Sequence, residues 1–293
     1  MSASATTVPN LADRLQLRAA GPGRWRNLHG DANQNGRAYG GQLLGQAMRA
    51  LLMDMPAGRA PTMMQFLFLQ GALPEQPIVF EVTRLQEGKR FSARHVRGTQ
   101  GERTVLDAHA TCAAPMEGPA HRLASTAPPG EQPAALPTLD DVPATTREAL
   151  ARMGGYGQGC DAAIEFRIPD MDLQLDPQRA GPQLRYWLRA PQPLGDNPAV
   201  QTAAFAYLSD WWLNACMLLP HLRQAGERSM YISSLNHALW LHAPVRADEW
   251  LHVQTACVHS AGGRGLAVAQ YHDADGRHVA TATQDCLMAF AGR

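Results

Sequence analysis

Two stretches of this 293-residue chain follow the same plan, and that internal repeat restricts the possible folds more than any single motif does. In the first, Gly40-Gly41-Gln42 opens the apolar run Leu43 to Met53, whose Ala, Leu and Met content favours a helix ending before Pro56. Strand-like runs follow at Met64 to Leu69, Ile78 to Leu85, Phe91 to Gly98 and Thr104 to Cys112. In the second, Val200 to Leu219 reads as one long apolar helix. It is followed by strand-like runs at Met230 to His242, Trp250 to His259, Gly265 to Asp273 and His278 to Phe290. The last three runs of each half align at an offset of about 174 residues. A helix followed by antiparallel strands, twice over, predicts an α+β protein in which each half wraps a sheet around its own helix.

Between the halves, Ala113 to Thr145 carries prolines at 115, 119, 128, 129, 133, 137 and 143, which exclude helix interiors and central strands. The expected division is therefore an N-terminal repeat over 1–112, a linker over 113–145 and a C-terminal repeat over 146–293. Lys plus Arg and Asp plus Glu both total 26, so no basic excess is available to neutralise a nucleic-acid backbone. No apolar run is long enough to span a bilayer, and nucleic acid and membrane are both unexpected partners. The five cysteines (112, 160, 216, 257 and 286) are scattered, odd in number and never paired as Cys-x-x-Cys, which suits a reducing compartment. The first ten residues lack a basic start with an apolar stretch behind it, and Ala291-Gly292-Arg293 is not a peroxisomal address. Cytoplasm is the expectation.

Several short motifs stand in order along the chain: Tyr39-Gly40-Gly41-Gln42-Leu43-Leu44-Gly45-Gln46-Ala47, Gly88-Lys89-Arg90-Phe91-Ser92-Ala93-Arg94, Tyr207-Leu208-Ser209-Asp210, Ser234-Leu235-Asn236-His237-Ala238, Asp248-Glu249-Trp250-Leu251 and Ala280-Thr281-Ala282-Thr283-Gln284-Asp285. Together they make the chain resemble the acyl-CoA thioesterase II family from about residue 25 to 290. The resemblance implies a double hot-dog fold, hydrolysis of an acyl-CoA thioester to a carboxylic acid and CoA, and homo-oligomerisation. Carried over motif by motif, it implies Asp210, Ser234 and Gln284 as catalytic residues. Gly40, Gly41, Gln42 and His237 are then the candidates for substrate binding, and no cofactor or metal is expected.

The residue types suit the chemistry. A thioester has an electrophilic carbonyl and a good leaving group, so a carboxylate that accepts a proton from an oriented water suffices, and no covalent nucleophile is needed. Gly-x-Ser-x-Gly, Walker and His-Glu-x-x-His signatures are all missing. Asp196-Asn197-Pro198 is similar to part of a hydratase motif, but Ala199-Val200 stands where a His should follow. His237 and His242 are five apart on one strand, hence on opposite faces, which argues against a shared metal.

Departures from the family pattern are Ser234 for Thr, Asn236 for Asp and Asp285 for Glu. In the first half, Met63 to Phe66 replaces a His-Ser-Phe-His type of strand, and Leu69-Gln70-Gly71-Ala72 replaces Leu-Arg-Pro-Gly. Two other readings stay open: a thioesterase acting on acyl groups of a carrier protein, and a non-hydrolytic acyl-CoA binding protein.

Overall fold

A computed structural model describes residues 10–33, 35–152, 163–226 and 228–290. Cys160 and the terminal residues read above for targeting signals lie outside that set. The first half contains a short helix α1 (Leu11–Arg14), strands β1 (Leu17–Ala19) and β2 (Arg24–Asn27), the main helix α2 (Gly40–Asp54), and strands β3 (Ala60–Phe68), β4 (Val79–Glu87), β5 (Phe91–Gln100) and β6 (Arg103–Ala113). The second contains α3 (Ala144–Arg152), β7 (Glu165–Arg167), α4 (Met171–Gln174), β8 (Gln183–Arg189), α5 (Pro198–Ser209), α6 (Ala215–Leu218) and strands β9 (Met230–Leu241), β10 (Leu251–Ala261), β11 (Arg264–His272) and β12 (His278–Phe290). Four short strands, β1, β2, β7 and β8, were not expected from the sequence. Among the described residues no helix is long and apolar enough to cross a membrane.

All twelve strands form one sheet in the order β1-β2-β4-β5-β6-β3-β9-β12-β11-β10-β8-β7, and the second half of that list mirrors the first. The halves join where β3 pairs antiparallel with β9, with Phe66 opposite His237 and Met63 opposite Trp240. Each half thus covers the other's exposed edge, leaving only the three-residue strands β1 and β7 at the ends.

Helices α2 and α5 pack against each other inside the curve of this sheet. Gly41 and Gly45, four residues apart and so on one face of α2, permit that contact. A Cβ on Gly41 would lie 2.3 Å from the Tyr207 carbonyl oxygen, and one on Gly45 would lie 3.0 Å from that of Ala203. At the far end of α2, the fully buried Arg94 ties helix to sheet. Its Nε donates to Asp54 at 3.2 Å and its Nη2 to Glu87 at 2.6 Å. Burying a guanidinium is tolerable only with such partners.

The long helix expected from Val200 to Leu219 is broken. Helix α5 starts at an Asn197 N-cap, whose Oδ1 accepts from the Ala199 N–H at 2.9 Å, with Pro198 in the first turn. The Asp-Asn-Pro sequence is therefore a helix start. α5 ends at Ser209, Trp212 takes a left-handed φ of 58°, and α6 resumes at Ala215. Two buried tyrosines on neighbouring strands stabilise the break by donating to carbonyls released there: Tyr271 Oη to Ser209 O at 2.9 Å and Tyr186 Oη to Trp211 O at 3.0 Å. The tertiary structure overrides the helix propensity of the run.

The proline-rich segment contains no strand or helix from Ala114 to Gln132. It lies along the second half, where Glu131 accepts from Arg185 at 2.9 Å and from the Trp187 indole at 2.7 Å, and Ser125 hydrogen-bonds His252 at 3.0 Å. The described cysteines 112, 216, 257 and 286 are free thiols.

Candidate active site

The helix break frees Asp210 from the end of α5 and points it at the start of α2. The Gly41 N–H donates to its carboxylate, and a Cβ on Gly40 would fall 2.6 Å from Oδ2. The carboxylate thus occupies the positive end of α2, where backbone N–H groups favour an anion. A side chain at Gly40 would fill the space it uses.

Gln284, on the inner face of β12, is fully buried and bridges two groups. Its Nε2 donates to Asp210 Oδ1 at 2.6 Å and to Ser234 Oγ at 2.8 Å. Both N–H bonds of the amide are therefore used. A carboxylate oxygen can only accept from it, which fixes which way the amide faces. Ser234 accepts from Gln284, so its own hydrogen is left to be donated onward. The structure brings together Asp210, Ser234 and Gln284, which lie on one helix end and two adjacent strands.

A strand irregularity makes this possible. In the pairing of β12 with β9, Asp285 is opposite Asn236 but Cys286 is opposite Ser234, so Leu235 is an extra residue. Ser234 and His237 are three apart and would face opposite sides of a regular strand. The bulge turns both inward. His237 is completely buried, beside Phe66, and its Nε2 pairs with Ser209 Oγ at 3.1 Å. Burial lowers its pKa to about 3, so the ring is neutral. Ser209 Oγ donates to Ala206 O at 2.9 Å, which leaves the imidazole as the donor. His237 thereby braces the residue next to Asp210.

Gln42 sits elsewhere. Its amide oxygen accepts from the Asp31 N–H, and its nitrogen donates to His29 O at 3.4 Å and Gln46 Oε1 at 3.2 Å. These contacts hold the loop leading into α2. The same loop is pinned at Asp31, whose Oδ2 accepts from Arg14 Nη1 and from Tyr207 Oη, both at 2.5 Å. Arg14, Asp31, Tyr186 and Tyr271 are not marked by any motif in the sequence. The available signal was tyrosine within apolar strands, since a buried phenol requires a partner.

Other motif residues are architectural. Asp248 accepts from the Leu194 N–H at 2.8 Å and from Gln201 at 2.9 Å. The Arg189 guanidinium stacks 4.5 Å from the Trp250 ring centroid. Where the family's Arg is replaced by Gln70, a guanidinium still reaches the turn: Arg103 donates to Gln70 Oε1 at 2.7 Å and to Gly71 O at 3.1 Å.

Burial pushes the Asp210 pKa up to about 6, while hydrogen bonds from Gln284 and the Gly41 N–H pull the other way. A group acting as a base must be ionised, so kcat/KM is expected to rise with pH through about 6 and level off above it. A pH–rate profile measures this directly. An acid limb centred near 4 would mean that some other, solvated carboxylate controls the rate.

A helix cradled by an antiparallel sheet, duplicated along one chain, defines a double hot-dog protein. Among solved structures the chain is similar to acyl-CoA thioesterase II TesB2 from Mycobacterium marinum, with TM-score 0.78 and 24% identity over 96% of this chain and 99% of that one. It is also similar to a hot-dog protein from Alicyclobacillus acidocaldarius, with TM-score 0.71 and 18% identity over 97% and 98%.

Residues 28–113 match the acyl-CoA thioesterase N-terminal domain and residues 130–288 the corresponding C-terminal domain, so the chain belongs to the acyl-CoA thioesterase family. Human acyl-coenzyme A thioesterase 8 is 28% identical over 257 residues, which cover 85% of this chain and 79% of that protein. Acyl-CoA thioesterase 2 of Haemophilus influenzae is 25% identical over 258 residues, covering 87% and 88%.

Proposed function

We propose that this chain hydrolyses acyl-CoA thioesters to carboxylic acid and CoA, with Asp210, Ser234 and Gln284 managing the attacking water. One observation carries the assignment of the site. A single buried amide links a carboxylate, whose proton affinity is raised towards neutrality, to a hydroxyl with a hydrogen to give.

In this reading Asp210 accepts a proton as the water oxygen attacks the thioester carbonyl. The C–S bond of the tetrahedral intermediate then breaks, and the leaving thiolate takes up that proton. Gln284 fixes the Asp210 carboxylate, and Ser234 donates to the water or to the negative charge that develops on the substrate. The N-terminal end of α2 at Gly40 and Gly41 allows close approach of the acyl group. His237 and Gln42 act by holding Ser209 and the 29–31 loop.

An N-terminal repeat ending at 112 is supported by the N-terminal family match, which ends at 113, whereas the C-terminal match begins at 130, inside the segment read as a linker over 113–145. Cytoplasmic location follows in this reading from the scattered, odd-numbered cysteines of the sequence. Homo-oligomerisation is supported by exposed apolar side chains on the outer face of the sheet, among them Leu67, Tyr231 and Trp240.

Thiol release from acyl-CoAs of short to long, straight and aromatic type tests the activity and reveals the preferred acyl group. Ser234→Ala is expected to lose about 10²-fold in kcat, by the usual effect of deleting one transition-state donor, and Ser234→Thr to retain most of it. An Ala variant as fast as wild type removes Ser234 from the mechanism. Release from acyl-carrier-protein thioesters alone selects the carrier reading, and saturable acyl-CoA binding with no release selects a binding protein.

A further inference from the structure

On the face of the sheet turned away from Asp210, side chains of β5 and β6 form a second constellation. The geometry points to a site for a divalent transition-metal ion of the zinc class, held by His95, Asp107 and His109. His95 and His109 are direct cross-strand partners, and Asp107, two residues from His109, projects from the same face. His95 Nε2 lies 2.9 Å from Asp107 Oδ2, and His109 Nε2 lies 3.7 Å from Oδ1. The three donor atoms fall within 4.8 Å of one another.

Bond lengths of about 2.0–2.1 Å at near-tetrahedral angles separate the ligand atoms of a zinc ion by roughly 3.3 Å. The two imidazoles approach different oxygens of the one carboxylate, at 2.9 and 3.7 Å, and with one donor atom per residue the set lies within 4.8 Å, so a bound ion would draw the donors together. His109 is the most exposed of the three and so the least held by packing. Two imidazoles and one carboxylate suit zinc, cobalt or nickel rather than calcium or magnesium, which want oxygen donors. Solvent completes the coordination.

The donors stand on a rigid hairpin. The inward neighbours Val96, Ala108 and Ala110 are buried in the core, so the backbone under the site is fixed. A plain His–Asp hydrogen bond on a sheet surface would account for His95 alone. Beside it stands His109, its ring 4.8 Å from that of His95 and its Nε2 turned to the other oxygen of the same carboxylate. No sequence motif marks this site, because His95 and His109 are fourteen residues apart and only the hairpin register makes them neighbours.

Calorimetric titration of the full chain with Zn²⁺ at pH 7.5 is expected to show one saturable equivalent. Co²⁺ in the same place should give visible absorption bands. That equivalent should disappear in the His95→Ala, His109→Ala double variant and in Asp107→Asn, while acyl-CoA hydrolysis is unchanged because all three face away from Asp210. No saturable zinc binding by wild type, or the same stoichiometry and affinity in the double variant, would overturn the proposal. If the double variant fails to fold, His109→Gln at the exposed position supplies the test, with affinity expected to fall at least tenfold. An unaltered affinity there overturns it equally.

Discussion

Asp210→Asn is expected to lower kcat by about 10²–10⁴-fold, the range general-base catalysis supplies, without loosening the fold. Asparagine matches aspartate in shape and keeps one carbonyl oxygen to accept from Gln284, but it cannot take a proton from water. The effect on stability has the opposite sign to the effect on rate. The folded-state pKa of Asp210 is raised from 3.8 to about 6, so near pH 5 the folded chain holds a proton that the unfolded chain has released. Its contribution to stability is present below about pH 4 and is lost as pH rises through about 6. At pH 7 the ionised, buried carboxylate therefore costs stability, by about 3 kcal/mol at most for a shift of that size. The neutral amide removes this cost, so the melting temperature of Asp210→Asn should be equal to or above that of wild type at pH 7, with the difference shrinking towards pH 4. Thiol release and thermal melts on one preparation read both quantities. A variant that turns over normally would remove Asp210 as the base. One that is inactive but melts far lower would mean that the carboxylate is structural.

The parts of this architecture visible in the sequence are those set by local pattern. The α2 run ends before Pro56, strand-like runs mark β3 to β6 and β9 to β12, and motif resemblance singles out Asp210, Ser234 and Gln284, which the fold brings together. What escaped the sequence depends on contacts between distant segments. The local mark of a break in Val200 to Leu219 is slight, a Ser209-Asp210 pair of the type that caps helices, since neither Gly nor Pro lies between 209 and 214. The break exists because Tyr186 and Tyr271 supply donors from other strands. The bulge at Leu235 is equally silent, because an extra residue is defined only by the register against β12. The motif points to His237 as a substrate contact, yet its Nε2 pairs with Ser209, which only folding brings near. The site is thus a product of two irregularities, a broken helix and a bulged strand, superposed on a regular repeat. Departures from regularity at functional positions are expected where local preference gives way to chemistry.

Gly41→Ala sets two known effects against each other, and their sizes decide the outcome. In a helix interior alanine is favoured over glycine by about 1 kcal/mol, an upper bound for Gly41 in the first turn, so on propensity alone the change should stabilise α2. The new Cβ would lie 2.3 Å from the backbone oxygen of Tyr207 and 2.4 Å from the Tyr39 ring. The first of these contacts cannot be relieved by a rotamer change, because the obstruction is backbone in the neighbouring helix. Overpacking of this kind costs about 1–3 kcal/mol, occasionally more. Relief requires α2 and α5 to separate, but Tyr207 is anchored through its hydroxyl to Asp31. A backbone obstruction lies towards the upper end of that range, so steric cost exceeds propensity and a net loss of up to about 2 kcal/mol is expected, read as a lower melting temperature. Separation also draws the Gly41 N–H away from Asp210, so activity should fall by more than the loss of folded protein explains. Gly45→Ala is the matched control. Its nearest obstruction is the Leu15 side chain at 2.6 Å, with the backbone oxygen of Ala203 at 3.0 Å, so a flexible group absorbs most of the strain. Gly45 also lies a full turn from the carboxylate, and its variant should keep most of the turnover. Equal behaviour of the two variants would mean that the contact between the helices sets stability alone. Loss of turnover at Gly41 only would tie the start of α2 to the chemistry at Asp210.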